Sequence, residues 1–142
     1  DLVVHDHAFA EDREPLSDRP RLERWTIDPR ARKVLTETID DRGTEFPRGD
    51  ERLTGRRHRY GYTIGASSVR DLGALGDDPR TGVRKHDLVG GTTVEVDLGS
   101  GRIASEMVFV SDGSAAGEDD GWLMGYVYDA ARDASDLVII DA

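Results

Sequence analysis

The sequence predicts an all-β protein assembled from antiparallel hairpins. Three observations carry this. Its apolar residues fall in short clusters, β-branched or aromatic and bounded by Asp, Gly or Pro, which is the pattern of strands. No stretch shows the longer apolar period of an amphipathic helix. And one arrangement, a strand followed by an Asp-led turn and a return strand, occurs three times.

Taken in order, strands are expected near Leu2–His5, Leu22–Ile27, Lys33–Ile39, Thr44–Phe46, Tyr60–Ile64, Val83–Asp87, Thr93–Leu98, Glu106–Val110, Trp122–Tyr128 and Leu137–Ile140. Ala8–Arg19 is charged and reads as an exposed loop. Ser67–Gly82, rich in Gly, Asp and Pro, is a second, with one helical turn expected at Val69–Leu72. Ser111–Gly121, acidic and glycine-rich, is a third.

The repeated hairpins turn at Asp28, Asp87 and Asp129, which lie 59 and 42 residues apart. Aspartate suits the turn because its carboxylate can accept a bond from the backbone two residues on. Hairpins recurring at this interval point to blades of a β-propeller, or to a β-sandwich, which also uses successive hairpins. About three blades cannot close a ring. The first and last residues read as strand interiors, so a fragment of a longer protein is expected, with residues 1–142 forming part of a single domain.

Composition narrows the function classes. The net charge of −10 argues against a nucleic-acid partner, whose affinity comes from Lys and Arg on phosphate. The absence of cysteine removes disulfides and thiolate metal sites. No apolar run approaches transmembrane length and no signal peptide is visible, so a cytoplasmic location is expected. Walker, G-x-S-x-G and C-x-x-C patterns are missing.

Two glutamates stand out: Glu45 in Thr-Glu-Phe-Pro-Arg and Glu106 in Ser-Glu-Met-Val-Phe-Val. A carboxylate set among strand-forming residues is costly to bury unless a cation or hydrogen-bond donor meets it. The plainer alternative is that both cap turns or pair with Arg48 and Arg102.

Several runs, in order and sensibly spaced, resemble the carotenoid cleavage oxygenase family. They are Arg21-Leu-Glu-Arg-Trp-Thr-Ile-Asp-Pro, Asp40-Asp-Arg-Gly-Thr-Glu-Phe-Pro-Arg, Gly55-Arg-Arg-His-Arg-Tyr-Gly-Tyr, Lys85-His-Asp-Leu, Ser105-Glu-Met-Val-Phe-Val, Glu118-Asp-Asp-Gly-Trp-Leu-Met and Ser135-Asp-Leu-Val-Ile-Ile-Asp-Ala. The family includes carotenoid, apocarotenoid and lignostilbene dioxygenases and the retinoid isomerase of the visual cycle. The resemblance implies a partial seven-bladed β-propeller whose parent carries a non-haem Fe(II), bound by four His with three Glu behind them. With O2, the parent would cleave a C=C bond of an apolar, conjugated carotenoid, apocarotenoid or stilbene-type substrate. It also implies that Glu45 and Glu106 accept the outer N–H of iron-bound imidazoles, which fixes the ring's tautomer and strengthens it as a ligand. No catalytic residue and no iron ligand is expected within this chain, and the isolated chain is expected to be inactive. Gly49, where many relatives are apolar, and Met107, where they carry Pro or Ala, depart from the pattern. The non-enzymatic alternative is a propeller or sandwich serving as a binding module.

The remaining candidates read as structural. His5 and His7 share a strand face but are expected on a polar edge entering a loop. His58 lies in a solvated basic strand end, His86 in a hairpin. Glu118-Asp-Asp-Gly lacks the ligand spacing of a calcium loop. Trp25, Trp122, Tyr60, Tyr62, Tyr126 and Tyr128 are expected to pack between blades.

Overall fold

A computed structural model describes residues 1–5, 20–65, 81–113 and 116–142. Its described residues are all-β apart from a single 3-10 turn at Glu51–Leu53. The expected loop Ala8–Arg19, the helical turn at Val69–Leu72 and nearly all of Ser67–Gly82 lie outside the described residues.

Eleven strands among the described residues form three antiparallel sheets. The first contains β1 (Leu2–Val4), β2 (Arg21–Asp28) and β3 (Lys33–Asp40), in that order. The second is a four-stranded meander of β4 (Thr44–Arg48), β5 (Tyr60–Gly65), β6 (Gly82–Asp87) and β7 (Thr92–Asp97). The third places β10 (Gly121–Asp129) between β11 (Ala134–Asp141) and two short strands, β8 (Arg102–Ala104) and β9 (Val108–Ser111).

The three Asp-led hairpins share one construction. Asp28 Oδ1 accepts the amides of Arg30 and Ala31, Asp87 Oδ1 those of Val89 and Gly90, and Asp129 Oδ1 that of Ala131. Four residues past each Asp the backbone turns left-handed, at Arg32 (φ 53), Gly91 (φ 67) and Asp133 (φ 47). The ladders close on Asp28–Lys33, Asp87–Thr92 and Asp129–Ala134.

Most strands fall within a few residues of their expected bounds, β8 was not expected, and one expected strand is interrupted. Glu106–Val110 was the sequence-based strand, yet Glu106 and Met107 lie in a break between β8 and β9. Both short strands pair with β10, on either side of Gly125 and Tyr126. Met107 turns inward and is buried over Gly125, where a Cβ would stand 2.5 Å from the Met107 sulfur. The missing side chain makes the gap that the methionine fills.

The apolar core lies between the second and third sheets. Tyr62, Ile64 and Val83 from one meet Ala104, Met107, Phe109, Leu123 and Val127 from the other. The Tyr62 and Phe109 rings stack with centroids 5.6 Å apart. By contrast, polar groups join the first and second sheets. Arg84 reaches from β6 to the Gly43 carbonyl (2.7 Å) and lies 3.7 Å from Asp40.

Candidate functional site

Each sheet presents its first strand in chain order at one edge: β1, β4 and the broken strand β8/β9. Glu45 lies on the second of these edges and Glu106 in the break of the third.

The local sequence of β4 explains where Glu45 points. Pro47 has no N–H to give to a ladder. Pairing with β5 holds at Thr44 and Glu45, then slips before resuming at Arg48. Phe46, between them, is left-handed at φ 51. A bulge of this kind kinks a strand and re-aims its side chains, and strained non-glycine backbone is characteristic of functional sites.

The Glu45 side chain is only 9% exposed. Burial pushes its pKa upward, opposed by the charge of His5 and the amide of Phe46. Nε2 of His5 lies 2.9 Å from Glu45 Oε1, bringing the end of β1 against β4. Oε1 is fully buried and has no hydrogen-bond partner among the described residues. A buried carboxylate oxygen with an unused lone pair fits the task of accepting an N–H from an imidazole on another element.

Glu106 is placed differently. Its side chain is 42% exposed, and Arg48 Nε donates to its Oε1 at 2.7 Å. A cation on the edge strand that carries Glu45 therefore reaches the other glutamate across two sheets. Arg102, the other arginine considered for such a pair, turns instead to Asp129 and Asp136.

The remaining titratable candidates resolve as follows. His86 is 1% exposed, with Nε2 2.8 Å from Thr63 Oγ1 and Nδ1 3.0 Å from Thr93 Oγ1. Burial lowers its pKa to about 4. His58 lies 3.3 Å from Asp1, and Arg59 pairs with Asp87. Glu118 accepts the amides of Arg59 and Tyr60, and Lys85 binds Asp119 at 2.7 Å. The acidic Glu118–Asp119 stretch is thus clasped by the second sheet. His7 lies outside the described residues. Among the described residues no group of three or more His, Asp or Glu is placed to hold a metal ion.

Sequence reasoning missed the contact of His5 with Glu45. The only available signal was the polar His-Asp-His run at the end of a strand, which reads equally well as a solvated edge.

Comparison with known proteins identifies the family of the chain. The family model for the retinal pigment epithelial membrane protein matches residues 3–142. A carotenoid cleavage oxygenase from Mycobacterium tuberculosis is 42% identical over 144 aligned positions, covering all of this chain and 28% of the relative. The apocarotenoid-15,15'-oxygenase of Synechocystis is 36% identical over 88% of this chain and 24% of its own length. The solved structure of cobalt-substituted apocarotenoid oxygenase from Synechocystis superposes with a TM-score of 0.75 at 35% identity, over 87% of this chain and 25% of that one. The chain spans about a quarter of the length of these relatives. With its ordered motifs and edge-strand glutamates, the chain belongs to the retinal pigment epithelial membrane protein family, that of the carotenoid cleavage oxygenases, and its three sheets are part of a seven-bladed β-propeller.

Proposed function

We propose that the whole protein is a non-haem Fe(II) dioxygenase that cleaves a C=C bond of an apolar, conjugated substrate with O2. Carotenoids, apocarotenoids and stilbenes are the candidate substrates. The observation that carries the reading is Glu45: a buried carboxylate on an edge strand, aimed by a bulge, with one oxygen lacking a hydrogen bond. Bound iron would supply the activation of O2. The residues that hold it are proposed to lie elsewhere in the whole protein.

What this chain contributes is orientation. Glu45 would accept the outer N–H of an iron-bound imidazole at Oε1, fixing the ring's tautomer and direction. Glu106 is proposed for the same task at a second imidazole, with Arg48 holding its other face. Held by Arg48, it would present a fixed acceptor at the edge of the third sheet.

The test is iron content and O2-dependent cleavage of a carotenoid and stilbene panel by the whole protein. Glu45→Gln is expected to lower metal affinity about 10–100-fold, with turnover falling alongside. Unchanged iron and turnover in that variant would sink the orienting role. A well-folded, iron-free, inert parent protein would transfer the case to the binding-module reading.

A further inference from the structure

We propose that His5 is a positioning residue for Glu45, holding its carboxylate in place at the edge of β4. The inference rests on the orienting role of Glu45 set out above and extends it to a second layer. His5 follows β1, whose backbone is fixed by pairing of Leu2, Val3 and Val4 with β2. From that anchored position its Nε2 reaches 2.9 Å from Glu45 Oε1, bridging the first and second sheets. Both side chains are largely shielded, at 19% and 9% exposure, so the contact is screened little by water.

The physical need is specific. An ionised carboxylate is the stronger acceptor of an imidazole N–H, and burial works against ionisation. Among the groups acting on Glu45, burial is the largest and raises its pKa, while the charge of His5 leads those that oppose it. The His5 ring, held at the end of β1, fixes where the carboxylate stands, and the carboxylate keeps further lone pairs for another donor. His5 is not proposed as a metal ligand, since no companion ligands accompany it among the described residues.

The experiment uses the whole protein, stripped of metal and titrated with Co(II) against a competing chelator. The visible absorption of Co(II) is followed, with a thermal melt as the check on folding. The variants are Glu45→Gln, His5→Leu, which fills space without a donor, and His5→Gln, which restores an N–H of similar reach. Glu45→Gln is expected to weaken Co(II) binding about 10–100-fold, His5→Leu roughly three- to tenfold with a shifted Co(II) band, and His5→Gln no more than about twofold. Should His5→Leu fail to fold, His5→Asn, too short to reach the carboxylate, takes its place. Weakened binding in Glu45→Gln with wild-type binding in His5→Leu would overturn the His5 proposal and leave Glu45 standing. Equal losses in His5→Leu and His5→Gln would overturn it too, because a restored donor would then not restore the function. Wild-type Co(II) binding in Glu45→Gln would remove the orienting role of Glu45, and the His5 proposal with it.

Discussion

His86 shows how one buried side chain can make a fold sensitive to pH. Two threonine hydroxyls occupy its ring nitrogens, and burial holds its pKa at about 4, below its ordinary value of 6.5. Between these values the unfolded chain takes up a proton that the folded chain refuses. Stability is therefore full above pH 6.5 and declines as pH falls toward 4, by as much as about 3 kcal/mol. Denaturant titrations of the whole protein across that window should show the decline, and His86→Gln should flatten that part of it. Parallel curves for the two proteins would show that His86 does not contribute. The neighbouring Asp40 behaves oppositely. Burial alone would raise its pKa, but hydrogen bonds from the Arg42 side chain and amide, with the charge of Arg84, hold it below the usual carboxylate range. The cluster is legible in the sequence only as isolated charges. That Arg84 crosses from the second sheet to Gly43 and Asp40 depends on how the two sheets meet.

At the scale of the element, the paired glycines Gly65 and Gly82 have a shared purpose. They are cross-strand partners in β5 and β6. The Arg84 guanidinium lies over one and the Glu95 carboxylate over the other, where a Cβ would stand 2.8 Å and 2.5 Å from their polar atoms. The missing side chains let the Arg84–Glu95 pair, bonded at 2.8 Å, lie across the ladder. Gly125 performs a similar task for the break that carries Glu106. A Cβ there would also approach the Glu106 carbonyl to 2.7 Å. Gly125→Ala is accordingly expected to cost about 1–3 kcal/mol and to displace Glu106 from Arg48. A denaturant titration measures the cost, and a midpoint equal to wild type would show that the break absorbs a methyl group. The hairpins could be read from their aspartates because an Asx turn is a local event. The break could not, because it depends on which residue of β10 lies opposite Met107.

For the whole molecule, the two joins between sheets differ in kind. The second and third sheets meet through apolar side chains, with Tyr62 stacked on Phe109 at their centre. The first and second meet through Arg84, Asp40 and the contact of His5 with Glu45. Beyond these joins, the third sheet bears an apolar face with no cover among the described residues. Val108 and Val110 on β9, Trp122 and Tyr126 on β10, and Leu137 and Ile139 on β11 are all substantially exposed, and the register sets them side by side. Contiguous apolar surface of this kind marks an interaction face or an aggregation hazard. The 142-residue chain prepared alone is expected to self-associate and to bind a hydrophobic dye such as ANS. A monomer with a sharp cooperative melt and no dye binding would contradict this.

The sequence by itself determined the all-β class, the Asp-led hairpins, the ordered family motifs and the prominence of Glu45 and Glu106. Each of these is encoded by near neighbours along the chain: side-chain alternation, turn chemistry, or a short motif in fixed order. The tertiary structure alone decided how the two glutamates differ. Glu45 is buried because the bulge at Phe46 turns it against the end of β1, whereas Glu106 stays half-exposed because Met107 takes the inward position beside it. It also decided that His5, 40 residues before Glu45 in the chain, comes within 2.9 Å of its carboxylate. Contacts of that range depend on the meeting of separate sheets, and no local pattern of residues encodes the geometry of that meeting.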